Sequence, residues 1–226
     1  MFTSEMRDQY FREGYSIIRG AISPLSVCDD ALKMAQYIEG AQNLMPIMQI
    51  HRMQTWFKSF AGRFPIFETI HELMGERPAL LQTLFYFCKS GTPGYINHQD
   101  NFCIETGEED LITAWVSLVD TYSDNGCLTV YPGSHKQGII PVVDIPMDKI
   151  NPQYPNITKE LRMPETNKKE NIITMKGDVV LIHGNVVHGS NDNVSSEIRP
   201  SLILVYIRPG AKFRPGNTAK RKMESL

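Results

Sequence analysis

The chain lacks an excess of either charge, and it lacks any long apolar run. Its 226 residues carry 23 Lys and Arg against 25 Asp and Glu, which gives a net charge of −2. Because a nucleic-acid-binding domain normally carries a basic face, this balance argues against a nucleic acid partner. No apolar run approaches the roughly 18–20 residues of a membrane span, so we also expect no membrane partner.

Cysteine is scarce and scattered. The four cysteines contain no CxxC pair, a spacing that favours reduced thiols over disulfides or zinc sites; they are Cys28, Cys88, Cys103 and Cys127. The first fourteen residues include acidic side chains and no apolar stretch, so we expect no secretory signal. These features together predict a cytoplasmic protein. Nothing in the sequence indicates an oligomeric state.

The apolar content of 42% is sufficient for a real core, and we predict a single domain over residues 1–226. Its first part, residues 1–78, reads as a mostly helical flank. The predicted elements are a helix over Ser4–Glu13 with Ser4 as its cap and Gly14 as its end, a strand over Tyr15–Arg19, a helix opened by Ser23 and Pro24 toward Glu39, and a helix over Ile66–Met74. Residues 41–65 are ambiguous.

The sequence pattern of residues 79–210 is that of a β domain. Short β-rich segments alternate with glycine and proline turns; they are Leu80–Cys88, Thr113–Val119, Cys127–Tyr131, Asp178–Ile182 and Leu202–Ile207. This pattern is typical of an antiparallel sandwich or jelly roll. The predicted fold class is therefore mainly β with flanking helices packed outside.

Two segments do not follow this pattern of short strands and turns. Residues 139–165 contain five prolines, too many for a strand or a helix, so we expect an irregular excursion that is either a substrate lid or a decorated surface loop. Residues 211–226 form a basic tail broken by Gly and Pro, which we expect to be solvated.

The most informative feature is a set of metal-ligating side chains. His98 and Asp100 are two residues apart, so on an extended segment both side chains leave the same face. Two neutral imidazoles and a carboxylate on one side of an iron ion leave its other positions open for a co-substrate and oxygen. A lone HxD is a weak signal, and the second histidine decides its meaning.

Either of two histidines could be the second imidazole ligand. His183 ends an apolar strand, and His188 follows five residues later; Arg199 then opens another strand, eleven residues after His188. An arginine that enters a barrel interior needs an anionic partner, because an unpaired buried charge costs several kcal/mol. Its planar fork suits the carboxylate of a dicarboxylate co-substrate.

Together these segments resemble the phytanoyl-CoA dioxygenase-like oxygenases. The resemblance is carried by HQD at residues 98–100, Trp115 in AWVSLVD, NGCLTVYPGSH at 125–135, GDVVLIHGNVVHGS at 177–190 and Arg199, with weaker support from residues 11–23. Members are non-haem iron, 2-oxoglutarate-dependent enzymes on a double-stranded β-helix, a cupin-like jelly-roll barrel. The resemblance implies that fold here, with Fe(II), 2-oxoglutarate as co-substrate, and O2.

The resemblance also implies roles. His98, Asp100 and His188 correspond to the iron ligands and thus to the catalytic residues. Arg199 and Ser190 correspond to residues that bind the distal carboxylate of 2-oxoglutarate. Trp115 corresponds to a wall of the co-substrate site, and Gln99 to a co-substrate contact, although strand alternation would turn Gln99 away from its neighbours.

Position within the motif favours His188 over His183, because the Gly-Ser that follows His188 and its spacing to Arg199 match the family. His135 is expected to be structural, with a hydrogen bond to a loop carbonyl. Asp100 is a carboxylate where halogenating relatives have a small residue, so the resemblance implies hydroxylation.

The expected function is therefore hydroxylation of a small-molecule substrate, with release of succinate and CO2. We expect that substrate to be a small polar metabolite. Two alternatives remain: a non-catalytic ligand-binding protein, and a cupin-like metal protein on the same barrel.

Overall fold

The structure is a computed structural model that describes residues 2–38, 46–149, 158–161, 163 and 167–226. Within these ranges the helices are α1 (Ser4–Glu13), α2 (Ser26–Gln36), α3 (Ile50–Met53), α4 (Thr55–Ala61), α5 (Ile66–Met74) and α6 (Asp100–Ile104). The strands are β1 (Tyr15–Ile18), β2 (Ile47–Met48), β3 (Ala79–Cys88), β4 (Leu111–Ser117), β5 (Leu128–Val130), β6 (Val142–Asp144), β7 (Lys159–Leu161), β8 (Glu170–Ile172), β9 (Val179–His183), β10 (His188–Ser190) and β11 (Arg199–Ile207).

The strands form sheets of six, three and two members. The large sheet has the order β1-β9-β4-β11-β3-β2, and the small sheet has the order β10-β5-β8. Every neighbouring pair in both sheets is antiparallel. Successive strands often lie in different sheets, as in a jelly roll. The prediction of a mainly β fold with flanking helices is confirmed.

The two faces of the large sheet have different partners. One face carries Leu202, Leu204 and Tyr206 of β11, which pack in one cluster with helices α2, α4 and α5. The hydroxyl of Tyr206 donates to the carbonyl of Ala61 at the end of α4, at 2.8 Å. The other face, called here the inner face, includes Trp115 and packs against Leu128 and Val130 of the small sheet, among others.

Alternation along the strands explains this division, because successive side chains point to opposite faces. The helices pack on the outer face through apolar faces of their own. In α5 the buried residues include Ile66, Ile70 and Met74, which recur every four residues on one face. The bounds of α5 are those that the sequence predicted. Among the helices of the described chain, none has the length and apolar content needed to cross a membrane.

Two helix starts differ from the sequence prediction. The cap of α1 is Thr3, whose Oγ1 accepts from the N–H of Met6, and Ser4 is the first helical residue. The predicted stop at Gly14 is correct, since this residue has φ 82°, which glycine adopts without a steric penalty. Helix α2 begins at Ser26, three residues beyond the predicted Ser23 start.

The proline-rich segment 139–165 contains strands, so the prediction that it holds none was wrong. Strands β6 and β7 pair with each other in register Val142↔Leu161 and Asp144↔Lys159. Pro141 lies before β6 and Pro146 after it, so neither removes a hydrogen bond from within the strand. The other prolines of this segment, Pro152, Pro155 and Pro164, lie outside the described residues, as do residues 39–45.

The basic tail packs against the sheet, contrary to the expectation of a solvated end. Leu80 of β3 and Glu224 exchange both backbone hydrogen bonds at 2.8 Å. Phe213 and Met223 pack on a cluster that includes Leu81 and Val205. The tail therefore covers the inner-face residues at one end of the large sheet.

Candidate metal centre

Three predicted ligands converge between the two sheets. Nε2 of His98 lies 3.5 Å from Oδ1 of Asp100, and Nε2 of His188 lies 3.9 Å from the same oxygen. One ligand atom from each of the three residues lies within 4.8 Å of the others, which is close enough for all three to contact one ion. Two imidazoles and one carboxylate are the donor set of a mononuclear non-haem iron site with open positions.

Backbone geometry brings these ligands together. His98 and His188 form an isolated antiparallel bridge, so the segment of His98 lies beside β10 at the edge of the small sheet. Gln99 between the first two ligands is extended, with φ −118° and ψ 127°, and α6 begins at Asp100. An extended residue between His98 and Asp100 places both side chains on one side, as the sequence predicted.

The remaining heteroatoms of the ligands are bound to protein. Nδ1 of His98 lies 2.9 Å from the carbonyl of Ile96, and Nδ1 of His188 lies 3.1 Å from the carbonyl of Val186. Because a carbonyl only accepts, each Nδ1 carries a proton, which leaves Nε2 as the ring nitrogen that can bind a metal. The hydroxyl of Thr113 donates to Oδ2 of Asp100 at 2.6 Å, which leaves Oδ1 for a metal.

The electrostatics favour the metal-binding protonation states. Burial lowers the pKa of His188 to about 4, and the neighbouring His98 adds to that effect. Burial alone would raise the pKa of Asp100, but His188, His98 and the hydroxyl of Thr113 outweigh it and hold this pKa well below its usual value. At neutral pH His188 is thus a neutral imidazole and Asp100 a carboxylate, the forms that bind a cation.

Arg199 lies on the same inner face with its charge poorly compensated. It is 6% exposed, and its Nη1 donates to Oγ of Ser201 at 2.9 Å. Its Nε is buried without a hydrogen-bond partner, and within the described ranges no carboxylate oxygen lies within 4.0 Å of the guanidinium. A buried guanidinium with only a neutral acceptor fits an anionic ligand, because leaving it unpaired is costly.

Trp115 links Arg199 to the ligand cluster. The guanidinium carbon of Arg199 lies 5.7 Å from the centroid of the Trp115 ring. Trp115 and Thr113 are two residues apart on β4, so they share the inner face, and Thr113 holds Asp100. Asp100, through Thr113, and Arg199, through the ring of Trp115, therefore both adjoin the inner face of β4.

The two other predicted co-substrate residues differ from each other. Oγ of Ser190 accepts from the backbone N–H of Tyr95 at 2.9 Å, which leaves the Ser190 hydroxyl proton free to donate. The Gln99 side chain faces away from the ligands, as strand alternation predicts. Its amide donates to the carbonyls of Gly138 and Asn185 and accepts from the N–H of Ile140, so its three contacts are all with backbone.

His183 lies apart from the ligand cluster. Its Nδ1 accepts from the N–H of Asn185 at 3.0 Å, and its Nε2 lies 3.5 Å from Oε2 of Glu109. Its ring centroid lies 4.9 Å from that of His135, with the two ring planes tilted by 49°. Nε2 of His135 donates to the carbonyl of Phe11, which lies in helix α1 and not in a loop as predicted. The structure brings His188, and not His183, beside His98 and Asp100.

Sequence reasoning missed two residues of this region. Thr113 orients Asp100, and Ser201 is the hydrogen-bond partner of Arg199. A usable signal existed for each, because Thr113 is two residues before Trp115 and Ser201 two residues after Arg199, and period-two alternation places each pair on one face.

The sequence model of the phytanoyl-CoA dioxygenase (PhyH) family matches residues 40–201, well over half of the chain.

The chain belongs to the phytanoyl-CoA dioxygenase family.

Relatives within this family include phytanoyl-CoA dioxygenase 1 of Oryza sativa subsp. japonica, which is 31% identical over 181 residues, covering 77% of this chain and 61% of the relative. The phytanoyl-CoA dioxygenase of Arabidopsis thaliana is 30% identical over 176 residues, covering 76% and 60%. The chain thus aligns with about three fifths of the length of these relatives.

Solved structures share the fold of this family member. The epimerase SnoN, in complex with Fe3+, alpha-ketoglutarate and nogalamycin RO, superposes with a TM-score of 0.72 at 22% identity, covering 93% of this chain and 85% of SnoN. EvdO2 from Micromonospora carbonacea var. aurantiaca, complexed with 2-oxoglutarate, gives 0.76 at 12% identity and covers 96% and 94%. These likenesses confirm the predicted double-stranded β-helix.

Proposed function

We propose that this protein is an Fe(II)- and 2-oxoglutarate-dependent dioxygenase that hydroxylates a small molecule. The observation that carries the proposal is the convergence of His98, Asp100 and His188 with their second heteroatoms already bound to protein. Family membership and the solved structures that contain iron or 2-oxoglutarate support the same chemistry.

Nε2 of His98, Nε2 of His188 and Oδ1 of Asp100 would hold the iron. With 2-oxoglutarate and O2, the bound iron supplies oxidative decarboxylation, in which one oxygen atom enters succinate as CO2 leaves and the other enters a C–H bond of the substrate. The protein keeps three ligands in one orientation, since the carbonyls of Ile96 and Val186 and the hydroxyl of Thr113 prevent rotation of the side chains.

Arg199 and Ser190 would hold the distal carboxylate of 2-oxoglutarate. The guanidinium of Arg199 has a buried Nε without a partner, and it donates only to the neutral Ser201. A carboxylate there accepts charge-assisted hydrogen bonds and removes the cost of an unpaired buried cation. The Ser190 hydroxyl, held through Tyr95, retains a proton to donate to the same group.

Trp115 would exclude water from the co-substrate. Its ring is 4% exposed and lies between Arg199 and the small sheet. Exclusion of water strengthens the charge pair that Arg199 makes and limits side reactions of the activated oxygen.

The test measures iron binding by calorimetry under anaerobic conditions and succinate formation across a panel of small metabolites. We expect His188→Ala and Asp100→Ala to lose iron binding and succinate formation together. His183→Ala is the matched control, because His183 is buried and hydrogen bonded but lies outside the cluster. Iron binding that survives in His188→Ala and fails in His183→Ala would contradict the ligand assignment.

Succinate formation also separates catalysis from simple binding. A protein that only binds ligands on this fold would take up iron or 2-oxoglutarate without releasing succinate. Wild-type protein that binds both and forms no succinate with any metabolite, nor slowly without one, would refute the dioxygenase proposal.

A further inference from the structure

The C-terminal tail places a second guanidinium beside the inner face. The tail lies beyond residue 201, where the match to the family model ends. Nε of Arg221 donates to Oε1 of Gln82 on β3 at 2.6 Å. Nη1 of Arg221 donates to the carbonyls of Arg214 and Cys103, at 3.1 and 3.4 Å. Cys103 lies in α6, three residues after Asp100, so Arg221 is bound to the helix that begins with a proposed iron ligand.

Strand register relates Gln82, the anchor of Arg221, to Thr113, the residue that holds Asp100. Val205 on β11 is directly opposite Gln82 on β3 and directly opposite Thr113 on β4. Directly opposed residues in antiparallel strands share a face, so Gln82 and Thr113 both face inward. Two interstrand spacings separate them, which amounts to about 10 Å. Gln82, which anchors Arg221, therefore lies far enough from Thr113 for a small molecule to fit between Arg221 and the residue that holds Asp100.

The charge of Arg221 has only neutral acceptors. Its three hydrogen bonds go to an amide oxygen and two backbone carbonyls, and across the described residues no carboxylate oxygen lies within 4.0 Å of it. Burial lowers the pKa of Arg221, and the more distant negative charge of Asp100 is among the influences that oppose this. The neighbouring Arg214, in contrast, is exposed and pairs with Glu105 at 3.0 Å.

An accessible apolar surface adjoins this guanidinium. In the next cross-strand row, Leu84 of β3 lies opposite Ile203 of β11, and Ile203 lies opposite Trp115 of β4. Leu84 and Ile203 are only half-buried, although both lie on the inner face of the large sheet. Trp115, in the same cross-strand row, is buried. Among the described residues, the inner face thus keeps solvent-accessible apolar surface at Leu84 and Ile203, close to Gln82, the anchor of Arg221.

We propose that Arg221, oriented by Gln82, binds an anionic group of the primary substrate, a carboxylate or a phosphate, while the apolar part of that substrate lies on Leu84 and Ile203. This inference rests on the proposed function, because it assigns the substrate side of the same centre. Arg199 would bind the co-substrate anion, and Arg221 would bind the substrate anion. The tail is then a specificity element that lies outside the part of the chain matched by the family model.

The test uses three six-carbon probes that differ only in their end group: hexanol, hexanoate and hexyl phosphate. Ligand-observed NMR measures their dissociation constants for the 226-residue chain with Fe(II) and saturating 2-oxoglutarate under anaerobic conditions, so that Arg199 is occupied. We expect wild-type protein to bind at least one anionic probe about tenfold more tightly than hexanol. The probe that binds more tightly distinguishes a carboxylate from a phosphate.

Arg221→Gln should remove this preference, and Arg214→Gln, the matched neighbour already paired with Glu105, should keep it. If Arg221→Gln unfolds on thermal melting, Gln82→Met serves instead, because it frees the guanidinium from its anchor and should reduce the preference. Equal affinity of wild-type protein for all three probes would overturn the proposal. An unchanged preference in Arg221→Gln would assign this arginine a purely structural role and overturn it as well.

The same titration with metal-free Arg199→Gln protein separates this proposal from the dioxygenase proposal. Preference for an anionic probe that persists there, and is lost on adding Arg221→Gln, supports the substrate-anion site whatever the outcome of the iron and succinate measurements. Absence of the preference in both protein forms counts against the anion site alone.

Discussion

His98 and His188 are joined to each other through their backbones. The N–H of His98 donates to the carbonyl of His188 at 2.9 Å, and the N–H of His188 donates to the carbonyl of His98 at 3.0 Å. Their ring centroids are 4.2 Å apart. The spacing of two proposed ligands that lie ninety residues apart in the chain thus depends on main-chain pairing, which side-chain rotation does not disturb.

A substitution that separates these two backbones should weaken metal binding without removing a ligand. A Cβ added at Gly189 would lie 2.7 Å from the carbonyl oxygen of Tyr95, so the backbone leading to His98 must shift. We expect Gly189→Ala to destabilise the protein by roughly 1–3 kcal/mol and to lower iron affinity by about tenfold or more. Calorimetric iron titration and thermal melting measure the two effects.

Gly62→Ala is the control for that experiment, because its Cβ would meet nothing closer than 3.7 Å and its φ is −79°. It should change neither iron affinity nor the melting temperature appreciably. Wild-type iron affinity in Gly189→Ala would show that the bridge does not set the spacing of the ligands.

Thr113 should tune the metal site through Asp100. Thr113→Val removes the 2.6 Å hydrogen bond to Oδ2 of Asp100 while it keeps the shape of the side chain. Loss of such an orienting contact typically costs 10–100-fold in metal affinity. Thr83→Val is the matched control, since Thr83 is also buried in a central strand and bonds His51 at 2.7 Å, away from the ligand cluster. Equal iron affinities in the two variants would show that Thr113 does not support metal binding by Asp100.

Arg199 should act on the co-substrate and leave the metal unaffected. Arg199→Gln removes a charge-assisted pair worth about 1.5–3 kcal/mol, which corresponds to roughly 10–100-fold weaker 2-oxoglutarate binding. Iron affinity should stay within about twofold, because Arg199 contacts none of the three ligands in the described structure. Arg208→Gln, which breaks contacts with Asp110 and Glu76 outside the site, is the control. Undiminished binding of 2-oxoglutarate in Arg199→Gln would contradict the assignment.

The docking of the tail should depend on pH through Glu224. Burial raises the pKa of Glu224, but contacts with Arg52, Lys58 and His51 outweigh it and lower this pKa from 4.5 to about 2. A carboxyl whose pKa is depressed by folding stabilises the folded state above its unfolded pKa. This contribution is complete above about 4.5 and is lost as the pH falls toward 2.

Melting temperatures of wild-type and Glu224→Gln protein between pH 2 and 6 measure this contribution, with the range taken from the two pKa values of Glu224. The variant should melt at a lower temperature at pH 6, and the two curves should converge as the pH approaches 2. Curves that remain parallel over the whole range would show that the Glu224 charge does not hold the tail.

Local sequence patterns were sufficient to predict several elements of the fold and part of the metal centre. The four-residue recurrence of apolar side chains and Gly75 defined α5 to the residue, and the β texture from Leu80 onward defined the fold class. The spacing of His98 and Asp100 on an extended segment was correct for the same reason, because side-chain direction follows from the backbone of two or three neighbouring residues. Alternation also foretold that Gln99 faces away from its neighbours.

Strand pairing and packing determined the rest. Whether His183 or His188 joins the cluster depends on the register between β10 and the segment of His98, which no local pattern specifies. The contact of Thr113 with Asp100 and the position of Arg221 over β3 arise in the same way. These contacts join residues from 13 to 139 positions apart, and such pairings form only when the hydrophobic faces of whole strands are buried together.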